Sequence, residues 1–371
     1  MKKIFKIIVL SFLLVALISA VYTFYDISTL VFYENEKILS LYPFGSKVYL
    51  VTENGNGYMS GDNSNSKSFK YRGAEDKYHS ALGITSPARF FDGEITYVFP
   101  YCKTGALFIT SDNQLYKVSD FEAQKIADSA VFATASDMDT VYIIDTNNDL
   151  FVIKDNEKKF LYKNVVTVQA YRDRIFAVLD NGDFCELLMS DQGAYTPSDP
   201  IFKNAKSVSV VDTSLRYKDK FIYDDEDAIS NPLITVLTTD GKLYVKGAYN
   251  LISCGYYKLA ADMPEPMYIS DWKLIGENVT CFSSSAMGTV MKFDDDTSAY
   301  YGFDSFVDSS AEFGYKDFEV SDVESVYSGD LCVYIRTQDG THYIWGGSYN
   351  ELLQKENNCN IFTGNPKIIY S

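Results

Sequence analysis

Histidine and tryptophan are almost missing from this chain of 371 residues, which holds two of each. His79 and His342 stand alone, and none of the six cysteines forms a Cys-x-x-Cys pair, so a structural zinc site has little to build on. No Gly-x-Ser-x-Gly elbow presents a serine nucleophile. No glycine-rich loop joins a strand to a helix, and Glu53-Asn54-Gly55-Asn56-Gly57 reads as a turn rather than a phosphate cradle. No cofactor is implied. Positive charge is scarce too: 33 Lys and Arg stand against 50 Asp and Glu, for a net charge of −17. Such a surface repels phosphate backbones and argues against nucleic acid as a partner. Helix signals beyond the N-terminus are few, with short helical turns expected only near 121–127 and 349–354.

What is present begins at the N-terminus. Lys2, Lys3 and Lys6 precede an uncharged, Ile/Leu/Val/Phe-rich run from Ile7 to Tyr25. As a helix of about 19 residues it spans about 28 Å, close to the hydrocarbon core of a bilayer. The lysines would remain on the cytoplasmic side, so the remainder of the chain is expected on the extracytoplasmic side. The competing reading is a cleaved signal peptide, with Ile18-Ser19-Ala20 as a passable cleavage site, which would make the body secreted. Residues 26–37 read as a short stalk or a first outer strand. The body is rich in Tyr (30) and Phe (25), residues that fit a pleated, half-buried surface.

From residue 38 onward the chain repeats a hairpin: an apolar run, a turn of Asn, Asp or Gly, and a second short run. The seven turns are Asn54-Gly55, Asp112-Asn113, Asn147-Asn148, Asn181-Gly182, Asp240-Gly241, Asp295-Asp296 and Asp339-Gly340. Such pairs are favoured in tight hairpins whose central residues both need positive φ. The mean spacing is about 48 residues, the period of four-stranded propeller blades. A second element, Asn or Asp followed by a small or apolar residue, precedes the hairpin at Asn164, Asn204, Asn278 and Asp322. It lies 17 residues before the turn residue in three copies, and in the copy at Asn204 an insertion near 213–231 lengthens the interval. A polar excursion at 57–93 interrupts the first repeat. The expected fold is all-β: a seven-bladed β-propeller of antiparallel four-stranded blades over 38–371, preceded by a transmembrane or signal helix at 1–25.

The later repeats resemble the propeller repeat named after the regulator of chromosome condensation. The stretch Val236-Leu237-Thr238-Thr239-Asp240-Gly241-Lys242-Leu243-Tyr244-Val245-Lys246-Gly247 and the stretch from Ile335 through Thr337-Gln338-Asp339-Gly340 to Trp345-Gly346 carry the resemblance. The family's Gly-Gln-Leu-Gly turn is absent from every copy. The resemblance implies the seven-bladed fold more firmly than any activity. The family includes a nuclear nucleotide-exchange factor and a secreted bacterial inhibitor of β-lactamases. An exported acidic chain disfavours the first role, and the second shows that such a propeller can act by protein recognition alone.

The expected function is therefore that of an extracytoplasmic, membrane-tethered binding module, not an enzyme, whose partner is a protein or a cell-envelope polymer. The alternative is a propeller hydrolase or lyase that attacks polysaccharide through paired channel carboxylates. Aromatic binding candidates near predicted blade exits are Tyr249, Tyr256, Tyr257, Trp272 and Tyr349, with Tyr300, Tyr301 and Phe303 beside them. Two acidic clusters offer oxygen ligands of the kind Ca²⁺ prefers: Asp224, Asp225 and Asp227 in the insertion, and Asp294, Asp295 and Asp296 at a turn. Neither has the ligand spacing of an EF-hand loop, so solvated charge is the simpler reading. His342 is expected to alternate on a strand rather than serve as a base.

Overall fold

The computed structural model describes residues 36–44, 47–61, 88–102, 105–119, 122–136, 140–213, 232–250, 267–304, 312–329, 332–346 and 367–368. They form seven four-stranded antiparallel sheets, each drawn from one continuous stretch of chain with its strands in sequence order. Blade one holds β1 (Ile38–Phe44), β2 (Lys47–Thr52), β3 (Gly57–Gly61) and β4 (Ala88–Phe91). Blade two holds β5 (Ile95–Cys102), β6 (Gly105–Thr110), β7 (Leu115–Ser119) and β8 (Glu122–Ala127). Blade three holds β9 (Ala130–Ala135), β10 (Thr140–Asp145), β11 (Leu150–Lys154) and β12 (Glu157–Tyr162). Blade four holds β13 (Val165–Tyr171), β14 (Arg174–Leu179), β15 (Phe184–Met189) and β16 (Tyr195–Pro197). Blade five holds β17 (Ala205–Val211), β18 (Leu233–Thr238), β19 (Leu243–Tyr249) and β20 (Met267–Gly276). Blade six holds β21 (Val279–Ser284), β22 (Gly288–Phe293), β23 (Ser298–Phe303) and β24 (Phe313–Asp317). Blade seven holds β25 (Val323–Ser328), β26 (Cys332–Thr337), β27 (His342–Gly346) and β28 (Lys367–Ile368).

First strands of successive blades lie against one another, so they form the inner wall of a ring. The second strands are covered on both faces, and β6, β10 and β26 are buried along their whole length. That is why Gly-Ala-Leu-Phe-Ile-Thr and Thr-Val-Tyr-Ile-Ile-Asp read as continuous runs rather than alternating ones. Outer strands are wet, and Glu157–Tyr162 is exposed over four of its six residues. Apolar clusters fill every junction. One joins blades five, six and seven, and the ring closes where Ile38, Leu41, Val48, Leu50 and Tyr58 pack on Cys332, Tyr334 and Ile344.

All seven expected turns connect the second and third strands of a blade. Their geometry differs from the expectation. Only one residue of each turn has positive φ: Gly55, Asn113, Asn148, Gly182, Gly241, Asp296 and Gly340. In blade one the Gly55 N–H donates to the Thr52 carbonyl at 2.8 Å and the Thr52 N–H to the Asn56 carbonyl at 3.0 Å, and the other six repeat the scheme. This is a type I turn closed by a left-handed residue, the usual three-residue hairpin. The preceding Asp or Asn keeps an ordinary φ, and its side chain caps the turn instead. The hydroxyls of Thr110, Thr238 and Thr337 donate to Asp112, Asp240 and Asp339 at 2.5–2.6 Å.

The second repeated element also has a physical meaning. Asn164, Asn204, Asn278 and Asp322 sit at φ of 56–59° just before an inner strand. Each carbonyl accepts the N–H of a turn residue in its own blade, as Asp180 to Asn164 at 3.0 Å. The next residue's N–H reaches back to the preceding blade, as Val165 to the Asn148 carbonyl at 2.9 Å. The element is thus a joint that fixes both the hairpin and its neighbour. The helical turn expected at 121–127 is corrected: Glu122–Ala127 forms β8 on the outer edge of blade two. The residues are good helix formers, but pairing with β7 overrides propensity. The N-terminal helix, most of the 57–93 excursion, the 213–231 insertion beyond Thr213 and the turn at 349–354 lie outside the described residues. Among the described residues no helix is long and apolar enough to cross a membrane.

Candidate functional site

A meander of four strands puts its connections at two ends. The turns between second and third strands, and the links from one blade to the next, share one end, here the turn face. Connections from first to second and from third to fourth strand share the other, here the loop face. On the turn face the links are short, the longest being 198–204. On the loop face five connections are long: 62–87, 212–232, 250–266, 304–312 and 347–366. They belong to blades one, five, five, six and seven, which are consecutive around the closed ring. In blades two to four the loop-face connections run to at most five residues, at 190–194.

The turn face has its own regularity. In all seven blades the register slips at the second residue of the inner strand, leaving Leu39, Thr96, Val131, Val166, Lys206, Thr280 and Glu324 unpaired. These are β-bulges, devices that re-aim a side chain next to a site. All seven residues are exposed and stand at the rim of the ring's inner wall. Thr96 and Thr280 turn their hydroxyls back to the carbonyls of Ile109 and Lys292. Glu324 pairs with the buried Arg336. Leu39, Val131 and Val166 have no polar atom to satisfy and remain 37%, 45% and 48% exposed.

The turns surround this rim with charge. The connections 36–37, 53–56, 92–94, 111–114, 128–129, 146–149, 163–164, 180–183, 198–204, 239–242, 277–278, 294–297, 318–322 and 338–341 contain 18 carboxylates and four lysines. Their surplus of 14 negative charges nearly matches the net −17 of the whole chain. Hydrogen bonds hold several of these groups below the usual carboxylate range: Thr238 and Lys242 act on Asp240, Thr297 on Asp295, and Thr337 and the Thr341 amide on Asp339. Lys292 does the same for Asp296.

The residues singled out in the sequence fall in different places. Tyr249 is corrected from surface candidate to core. It is fully buried, its hydroxyl lies 2.8 Å from Thr289 Oγ1, and its ring meets Tyr301 edge-on at 5.9 Å. Tyr300, Tyr301 and Phe303 are buried in the same cluster. The Tyr249–Thr289 contact continues through Ser284 to Thr235, a hydroxyl chain that ties blade five to blade six. Trp272 is half-buried on the outer strand of blade five, with Phe202 at 4.8 Å. Asp294, Asp295 and Asp296 occupy a turn, where Asp295 accepts the Thr297 N–H and hydroxyl and Asp296 pairs with Lys292. Among the described residues no group of three His, Cys, Asp or Glu converges as a metal site would. Tyr256, Tyr257, Tyr349, Asp224, Asp225, Asp227 and His79 lie outside the described residues. Cys185 and Cys332 are buried and Cys281 is half-buried. The bulge rim was not visible in the sequence, because a bulge is a property of pairing. Its one signal is an exposed position next to each blade-joining residue, as Val166 follows Val165.

No protein-family model matches the chain, and no curated protein matches it in sequence. Solved structures do share its fold. The β-propeller domain of Cps50 (Swd1) from Myceliophteria thermophila aligns with a TM-score of 0.50 at 7% identity, over 85% of this chain and 99% of that one. Prp20p from Saccharomyces cerevisiae, studied for its binding to Gsp1p and histones, aligns with a TM-score of 0.45 at 14% identity, over 90% of this chain and 77% of that one. BamB from Moraxella catarrhalis aligns with a TM-score of 0.43 at 10% identity, over 85% and 88%. At these identities the likeness is one of fold: the chain is a seven-bladed β-propeller.

Proposed function

We propose that this chain is a recognition module that binds a protein or envelope polymer through the loop face of its propeller, on the extracytoplasmic side of a membrane. One observation carries the reading. The five long connections border strand ends on one face only, and they come from four neighbouring blades. A rigid scaffold with its long connections gathered on one sector is how folds present binding residues. The tether is supported by Lys2, Lys3, Lys6 and the apolar run to Tyr25. Chain entry at Glu36 is on the turn face, so a tethered propeller would hold its loop face away from the bilayer. Binding to Gsp1p and histones belongs to the yeast protein. An acidic, exported propeller would use the same fold for a different partner.

The test is capture from envelope extracts by the full-length protein. A specific partner is expected, and it should be lost when residues 62–87 and 251–266 are replaced by short Gly/Ser links. Equal capture by both forms would remove the loop face from the proposal. Turnover of a polysaccharide by the wild type, abolished by carboxylate-to-amide changes in the channel, would replace binding by catalysis. Protease treatment of intact cells should digest the propeller; protection there would overturn the extracytoplasmic assignment.

A further inference from the structure

The turn face is a second surface, opposite the one just proposed. Its composition selects one kind of occupant. The rim offers apolar side chains from blades one, three and four, Leu39, Val131 and Val166, with Thr96 of blade two between the first two. Nothing within the described chain covers them. Exposed apolar side chains set at the bulges of blades one, three and four are a feature that recognition surfaces carry and ordinary surfaces lack. Around the rim stands the surplus of 14 negative charges on the turns. A second copy of the chain placed face to face would bring like charges together, and an anionic polymer or bilayer would be repelled in the same way. The carboxylates are dispersed over the seven turns and the links between blades, several of them engaged with a backbone amide or a hydroxyl, so they act as a field rather than as a chelate. A field of this sign attracts cations, and an apolar arc requires carbon to bury.

We propose that the turn face docks a cationic polypeptide segment, rich in Lys or Arg, that inserts an apolar side chain against Leu39, Val131 and Val166. The carboxylates steer and retain the basic residues. The rim supplies the apolar contact and fixes where the segment crosses the ring. Lys206 and Glu324 mark the opposite, polar arc of the same rim, so the apolar part of the segment is confined to blades one to four.

The experiment uses the full-length protein and fluorescently labelled synthetic peptides: one of alternating Lys and Leu blocks, one with Gly for Leu, and one with Glu for Lys. Fluorescence anisotropy should show binding of the Lys/Leu peptide that weakens as salt rises, weaker binding of the Lys/Gly peptide, and none of the Glu peptide. The triple variant L39S/V131S/V166S keeps every charge. It should bind the Lys/Leu peptide about ten-fold more weakly and the Lys/Gly peptide as the wild type does. A second variant, D112N/D339N, retains side-chain oxygens to cap both turns and should reduce the salt dependence. Both are checked for an unchanged unfolding midpoint. Equal binding of the two Lys peptides by wild type, or an unaffected triple variant, would overturn the proposal by showing attraction to net charge alone. Replacing residues 62–87 should leave peptide binding intact, which separates this face from the loop face whichever of the two readings fails.

Discussion

At the residue scale His342 does more than alternate on a strand. Its Nε2 lies 3.1 Å from the Ile38 carbonyl, which can only accept, so Nε2 carries the proton. In the neutral ring Nδ1 is then the acceptor, and the Tyr334 hydroxyl donates to it at 2.7 Å. Burial is the main cause that lowers the His342 pKa, to about 4 from an ordinary 6.5. The sign of the linkage follows from the folded state binding the proton less readily than the unfolded state. Stability from this group is complete above pH 6.5 and is lost as pH falls from there to about 4. At about 1.4 kcal/mol per pKa unit the loss is on the order of 3 kcal/mol. Urea unfolding between pH 7 and pH 4 should show this slope, and His342→Gln should flatten it; an unchanged slope in the variant would assign the acid sensitivity elsewhere. Gly288 makes a second residue-level case. A Cβ there would lie 2.1 Å from the Tyr300 ring, which is fully buried with its hydroxyl donating to the Phe303 carbonyl. Gly288→Ala should cost about 1–3 kcal/mol by overpacking. Gly314→Ala, with nothing within 4 Å of the new methyl, is the control that should leave the midpoint in place.

At the scale of the element, the seven hairpins rest on one left-handed residue each. Where that residue is glycine, as at Gly182 and Gly241 (both φ 80°), replacement by Ala should destabilise by about 1–2 kcal/mol. Where it is Asn113 or Asn148, replacement by Gly should be neutral or mildly stabilising, since the turn already requires that conformation. Thermal midpoints of the four variants, compared side by side, check this, and a loss on Asn148→Gly equal to that on Gly241→Ala would show that the side chain rather than the backbone matters. The same hairpins explain how much was legible in the sequence. Turn chemistry and the doubly buried second strands are local, so all seven hairpins and the joints at Asn164, Asn204, Asn278 and Asp322 stood out. The outer strands did not. Glu122–Ala127 and Met267–Gly276 are largely exposed and carry no apolar alternation, so nothing but pairing marks them as strands. The aromatic candidates misled for a related reason: a Tyr near a blade exit is equally suited to surface or to junction, and only Thr289 across the blade boundary shows that Tyr249 belongs to the core.

At the scale of the whole molecule, the ring is closed differently from the way it is joined elsewhere. Six junctions have a covalent link and a backbone hydrogen bond from the joint to the preceding turn, such as Ala205 to Gly182 and Val279 to Gly241, both within 2.8–2.9 Å. Among the described residues the seventh, between blades seven and one, has no chain crossing it, and no strand of one blade is borrowed from the other terminus. It relies on the small cluster around Leu41, Val48, Leu50 and Tyr334 and on the Tyr334–His342–Ile38 hydrogen bonds. A local opening there frees two edges without unthreading any loop, so it is the smallest cooperative unit the ring can release. Native-state hydrogen exchange should therefore find β1 and β26 opening at lower free energy than β14 or β18. The gap should widen below pH 6.5, because opening lets water protonate His342. Leu41→Ala should lower the opening free energy of β1 and β26 and leave β14 unchanged. If all four strands exchange at one common free energy, the closure is as strong as the other junctions, and the ring unfolds only as a whole.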